Sequence, residues 1–150
     1  MEVLLIIRNF NENDLMDLYE LLSDDDVMYY LEEPFSLAKT KDFLKNAGLC
    51  EHPLIYAVQN EKRSFIGYVI YHEYDDQSME IGWVLKKEYW GKGIASSLTR
   101  KLIAMAALEG KDVIIECVPQ QIVTKHIAEK NGFKYIGRSK GCDIYRYENK

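Results

Sequence analysis

Cysteine, proline and histidine are scarce in this chain, with three of each in 150 residues. Cys50, Cys117 and Cys142 form no C-x-x-C pair and are odd in number. That speaks against a disulfide framework and fits a reducing, cytoplasmic setting. His52, His72 and His126 lack metal-ligand spacing, so no metal is expected and they read as surface or structural residues. Long apolar runs are missing as well. The opening Val3-Leu4-Leu5-Ile6-Ile7 is too short for a signal peptide and is preceded by Glu2, and no run approaches a membrane span. There is no basic stripe, which argues against nucleic acid as a partner. No Ser-His-Asp or Cys-His pairing stands out, and no repeat or low-complexity linker divides the chain.

What is present is the composition of a globular protein, 47% apolar and 29% charged, at a length that predicts one domain over residues 1–150. The net charge of −5 is unevenly spread. The first fifty residues hold eleven acids, Asp24-Asp25-Asp26 among them, against Arg8, Lys39, Lys41 and Lys45, a balance of −7; the remainder is +2.

The periodicities alternate between strand and helix. Leu4 to Arg8 reads as a strand. Leu15, Leu18, Tyr19 and Leu22 predict an amphipathic helix that Asn13 can cap. After a loop stiffened by Pro34, Ser36 can cap a second helix running to about Ala47, with Gly48 as its stop. Ile55 to Val58 and Phe65 to Tyr71 form a hairpin across Asn60-Glu61-Lys62-Arg63, and Asp75-Asp76-Gln77-Ser78 turns into a third strand, Met79 to Leu85. Ile94, Leu98, Leu102 and Met105 stripe a helix that Gly110 ends. A strand at Val113 to Val118, a helix at Gln121 to Lys130 and a hairpin of Tyr135 to Ser139 with Ile144 to Tyr147 complete the chain.

Between strand and helix lies Trp90-Gly91-Lys92-Gly93-Ile94-Ala95-Ser96. Two glycines let the backbone approach a ligand closely, and outward N–H groups at the positive end of a helix dipole suit a phosphate or pyrophosphate. A mononucleotide P-loop does not fit: Lys86 stands where its first glycine belongs and Gly93 where its Ser or Thr belongs. A dinucleotide fingerprint fits Gly91 and Gly93 but not Ser96, and it should open its domain rather than follow 90 residues.

The third candidate ligand is an acyl-coenzyme A. Trp90 to Ala95 resembles the Q/R-x-x-G-x-G/A pyrophosphate loop of the GNAT superfamily of N-acetyltransferases, with Trp90 in place of Gln or Arg. Val118-Pro119-Gln120-Gln121-Ile122-Val123-Thr124 and Glu129-Lys130-Asn131-Gly132-Phe133 resemble the later V-x-p-x-N-x-x-S and E-K-x-G-F pieces, and Glu80-Ile81-Gly82-Trp83 is similar to the central strand of the branch that includes ribosomal-protein N-terminal acetyltransferases. Three pieces in the right order and spacing cover Met79 to Phe133. The resemblance implies an α/β (α+β) fold of GNAT type: a mixed, mostly antiparallel sheet of about seven strands with helices on both faces. It implies acetyl-CoA as co-substrate and no metal. It assigns the pyrophosphate to Trp90, Gly91, Lys92, Gly93, Ile94, Ala95 and Ser96, the pantetheine arm to the backbone of Trp83, Val84 and Leu85, and further cofactor contacts to Gln121 and Thr124. Gln121 and Thr124 replace the family's Asn and Ser.

The implied reaction is attack of a neutral primary amine on a thioester, with a small amine or a peptide N-terminus as acceptor and a monomer or homodimer as the working form. A base must first deprotonate the amine. Glu80 and Glu116 are the candidates, each an acid in an otherwise apolar strand where burial raises the pKa. The family's acidic Tyr is replaced by Ala128, so Tyr135, Tyr145 or water must protonate the thiolate. An acidic N-terminal segment beside an anion site favours cationic acceptors. The alternative from another class is a non-catalytic acyl-CoA-binding module, for which the missing Tyr is the sequence argument.

Overall fold

Apolar stripes set the elements, and the computed structural model describes Leu4–Asn149. In chain order these are β1 (Leu5–Arg8), α1 (Leu15–Leu22), α2 (Leu37–Phe43), β2 (Ile55–Asn60), β3 (Phe65–Asp75) and β4 (Ser78–Leu85), then α3 (Ile94–Leu108), β5 (Asp112–Cys117), α4 (Ile122–Lys130), β6 (Lys134–Ser139) and β7 (Cys142–Tyr147). The sheet has seven strands in the order β1-β2-β3-β4-β5-β7-β6. The ladders β1–β2, β2–β3, β5–β7 and β6–β7 are antiparallel, whereas β4–β5 is parallel. A parallel step needs a long crossover, which α3 supplies. The mixed, mostly antiparallel seven-stranded sheet expected from the sequence is the one that forms.

The chain packs as two compact units. One comprises the residues up to Ile70 together with Trp83–Ile94. Its core gathers Leu18, Leu21 and Leu22 of α1 with Phe10, Phe35, Phe65 and Tyr68. The entry to α1 differs from expectation. Asn13 does not cap it: a 3-10 turn at Glu12–Asp14 precedes the helix and is capped by Asn11, whose side chain accepts from the Asn13 N–H while Asp14 accepts from the Asn11 N–H. Arg8 forks onto Asp14 at 2.8 and 2.9 Å and satisfies that buried carboxylate. Ser36 caps α2 as expected, through the Lys39 N–H, but the α-helix stops at Phe43 and continues to Gly48 as a π turn. Gly67 in β3 has φ +154°, and a Cβ there would lie 2.2 Å from the Val84 carbonyl oxygen. Only glycine permits so close a backbone approach.

The other unit comprises Tyr71–Gly82 and the chain from Ala95 on. Leu98, Leu102 and Ala106 of α3 are fully buried, so the stripe runs through Ala106 rather than Met105. Val113, Ile114 and Ile115 of β5 are all buried, as befits a strand inside a sheet. β3 runs four residues beyond the Tyr71 limit read from the sequence, reaching Asp75. The polar His72-Glu73-Tyr74-Asp75 is therefore strand, and only Asp76-Gln77 is left to turn. Asp75 steadies that turn by accepting from the Gln77 N–H and the Ser78 hydroxyl.

Candidate active site

The β4–β5 register brings the two candidate carboxylates onto one face. Glu80 stands opposite Ile114, and Glu116 follows Ile114 by two residues. Side chains alternate along a strand, so Glu80 and Glu116 project to the same side. The parallel ladder covers Ser78 to Glu80 and stops there, leaving Ile81 to Leu85 of β4 outside it.

Two residues of β3 that the sequence did not single out as functional complete the group. His72 Nε2 lies 3.8 Å from Glu80 Oε1, and the two side chains are 27% and 25% exposed. Tyr74, on the same face as His72, donates a hydrogen bond to Glu116, and that bond is the main reason its phenol is pushed up to about 12. Glu80 is held above the ordinary carboxylate range chiefly by burial; the Glu116 charge adds to the rise and His72 opposes it. Among the described residues no ion pair gives Glu80 or Glu116 a lysine or arginine. The nearest arginine on the neighbouring strand, Arg146, opposite Ile114, is engaged by Asp112 at 2.8 Å. A half-buried carboxylate with a raised pKa and a histidine at its side can take a proton near neutral pH. The sequence reads His72 as a surface or structural residue, and the fold places it beside Glu80. Its signal in the sequence was the i, i+2 spacing of His72 and Tyr74, visible only once β3 is extended.

Tyr135 and Tyr145, considered as acids for the thiolate, face each other across the β6–β7 ladder with ring centroids 5.6 Å apart. Tyr145 is buried and its phenol is raised by that burial, while Tyr135 is exposed. Ala128 is fully buried.

The glycine turn has the backbone an anion cradle needs. Gly91 and Gly93 adopt φ of +70° and +79°, and a Cβ at either would meet nothing within 4 Å. Open space over two left-handed residues ahead of the 15-residue α3 fits a pyrophosphate held by main-chain N–H groups. Trp90 ties the turn down, its indole donating to the Leu85 carbonyl at 3.0 Å. Lys92 is exposed, its ammonium 5.9 Å from the Tyr89 ring centroid. In the first turn of α3, the Ser96 hydroxyl accepts from Asn131 at 2.9 Å and Arg100 at 3.1 Å, so these two side chains engage its oxygen. Val84 and Leu85 are core side chains, and Trp83 is half-buried. Gln121 accepts from the Val118 N–H at 3.1 Å and closes the loop ahead of α4; Thr124 lies half-buried in the first turn of that helix.

The acidic segment is less available than its charge suggests. Asp24 accepts from the Asp26 and Val27 N–H groups, and Asp26 pairs with Lys87. A cavity of about 540 Å³ beside them is lined by Glu20, Asp24 and Glu88 but also by Lys86 and Lys87. Lys86 reaches Glu20 at 3.6 Å, so acids and bases there answer one another.

A mixed sheet with one parallel step, a glycine turn at the head of a helix and two carboxylates on neighbouring strands accord with the GNAT pattern that the sequence resembles. The family model described as an acetyltransferase (GNAT) domain matches residues 5–134, and the chain belongs to that family. It is an acetyl-CoA-dependent acyltransferase. An uncharacterised N-acetyltransferase of Bacillus subtilis is 30% identical over 143 residues, covering 92% of this chain and 84% of that protein. The crystal structure of a GNAT-family acetyltransferase from Bacillus anthracis superposes with a TM-score of 0.82 at 25% identity, covering 98% of this chain and 95% of that one. A spermidine N-acetyltransferase of Vibrio cholerae, solved with CoA and spermine, shares the fold with a TM-score of 0.73 at 22% identity, over 95% and 92% of the two chains. No helix among the described residues is long and apolar enough to cross a membrane.

Proposed function

We propose that the chain, acting as a single domain, moves the acetyl group of acetyl-CoA to a primary amine by direct attack on the thioester, with Glu80 as general base. The observation that carries this reading is the pairing of Glu80 with His72 at 3.8 Å inside a group that has no lysine or arginine partner among the described residues. A carboxylate neutralised by an arginine is a poor base at neutral pH; one raised by burial and a like charge is a better one. Glu116 is the neighbour that supplies the like charge.

The co-substrate is held by the residues the turn offers. Main-chain N–H groups from Gly91 to Ser96 take the pyrophosphate, with Trp90 fixing the turn and Lys92 free to reach a phosphate. On β4 the Val84 carbonyl is turned toward Gly67. Backbone groups alternate sides along a strand, so Trp83 and Leu85 are the residues whose groups serve the pantetheine arm in the manner of an added strand. The Leu85 carbonyl already accepts from Trp90, which leaves its N–H for that role. Gln121 and Thr124, at the start of α4, make further contacts with the cofactor. The acceptor class proposed is a cationic amine. The spermidine enzyme named above supports that class.

Gly93→Glu tests the cradle. It brings a side chain and a negative charge to the turn, and the loss in acetyl-CoA affinity by calorimetry is expected to be roughly 10²-fold or more, from like-charge repulsion and lost backbone contacts. A Cβ there meets no neighbour, but any side chain at φ +79° strains the turn, so Gly93→Ala is the control that separates strain from charge. Unchanged affinity would overturn the site.

A further inference from the structure

A protonated primary amine must shed two protons to become an amide. Acyl transfer from a thioester forms one C–N bond and breaks one C–S bond. One proton ends on the departing sulfur, and the other must leave for solvent. If Glu80 takes that second proton it must also lose it again before the next turnover. The group at its side decides how.

His72 is built for that step. Its Nδ1 lies 3.0 Å from the Glu73 carbonyl oxygen. A carbonyl can only accept, so Nδ1 carries the hydrogen of the neutral ring. Nε2 then presents its lone pair, and it is Nε2 that lies 3.8 Å from Glu80 Oε1. The backbone has thus selected the tautomer whose basic nitrogen faces the carboxylate. The side chain is 27% exposed, so an imidazolium formed there reaches water directly. The gap is ion-pair distance rather than hydrogen-bond distance, and a small side-chain rotation or one intervening water closes it.

We propose that His72 is the proton exit of the active site: the amine's proton passes to Glu80, from Glu80 Oε1 to His72 Nε2, and from the imidazolium to solvent. The relay conserves charge, since the carboxylate is regenerated as the imidazolium forms and the imidazolium is discharged by water or buffer. The charged and titratable groups around it are Glu80 on β4, Glu116 on β5, and Glu73, Tyr74 and Asp75 on its own strand. His72 does not touch the reacting atoms, so it is a relay and positioning residue. This inference rests on the acetyl-transfer reading above.

The test is a pair of variants, His72→Gln and His72→Ala, assayed by thiol release with an amine that the wild type acetylates, chosen from spermidine, an aminoglycoside and a basic peptide with a free N-terminus. In dilute, non-imidazole buffer kcat is expected to fall by roughly 10²-fold in both, the scale of a lost proton-transfer group. Acetyl-CoA affinity should stay unchanged. Added imidazole should raise the rate of His72→Ala in proportion to its concentration and leave the wild type unaffected. Rescue of this kind is not expected of a residue that only supports the strand. Wild-type rates in both variants, or a loss that imidazole does not recover, would overturn the relay alone. A wild type that binds acetyl-CoA but turns over none of these amines would overturn the acetyl-transfer reading and the relay with it.

Discussion

Asp143 and Glu80 are both carboxylates on strands of the same unit, and their surroundings drive them in opposite directions. Asp143 on β7 has a side chain only 3% exposed, but Arg138 and Lys125 reach it at 2.8 and 2.7 Å and hold its pKa down to about 2. Glu80 on β4 is met by a histidine and by the charge of a second glutamate, and its pKa is raised. The first arrangement locks a charge into the fold and ties α4 to the β6–β7 hairpin. The second leaves a charge whose proton can move. Acids paired with Arg or Lys, as at Arg8–Asp14 and Arg146–Asp112, are parts of the scaffold. Acids grouped with His, Tyr and one another, as Glu80 and Glu116 are, carry the chemistry in the reading proposed above.

Glu80→Gln should break this contrast most severely. Turnover is expected to fall by roughly 10²-fold or more, with acetyl-CoA affinity unchanged. Stability should move the other way. An acid whose folded pKa lies above its unfolded value costs stability as pH rises through the window between them, so at neutral pH the charged form opposes folding. The Gln variant should therefore melt at the same temperature as the wild type or higher, which a thermal scan at pH 7 checks.

Asp143→Asn should show the converse, with kcat nearly retained and stability reduced. For this depressed carboxylate the contribution is fully present above the unfolded pKa and fades as pH falls from about 4 toward about 2. The variant's melting temperature should thus depend less on pH across that window than the wild type's. A drop in kcat without a change in stability would place Asp143 in the chemistry and dissolve the comparison.

The sequence disclosed the glycine turn and the order of elements because both depend on local properties: two glycines at one spacing, apolar stripes at another. It placed Glu80 and Glu116 as candidates for the same reason, as acids interrupting apolar strands. It lost the ends of elements where short polar residues decide the geometry. Asn13 does not cap α1 because a 3-10 turn capped by Asn11 intervenes, and Asp14 precedes the helix without a side-chain cap bond. His72 and Tyr74 were hidden because His72-Glu73-Tyr74-Asp75 has the composition of a turn and becomes strand only through its pairing in the sheet. Arg138 and Asp143 are cross-strand partners in the β6–β7 hairpin and Lys125 lies on the helix before it, so only the hairpin register and the docking of α4 bring the three together. The three acids at 24–26 read as one patch, whereas the folded chain gives Asp24 to a turn and Asp26 to Lys87.

The smallest expected effect sharpens the comparison most. Glu116→Gln removes the like charge beside Glu80 and leaves the carboxylate itself in place. The most direct measurement is the pH dependence of kcat in the wild type and in this variant. If Glu80 is the base, the wild-type rate should fall on an acidic limb whose midpoint lies above the ordinary glutamate value of 4.5. In Glu116→Gln that limb should persist and move to lower pH, remaining above the ordinary value because burial, the larger cause, is untouched. A limb that stays where it was would contradict the coupling of the two carboxylates, and a variant without measurable turnover at any pH would contradict the assignment and make Glu116 the base in place of Glu80.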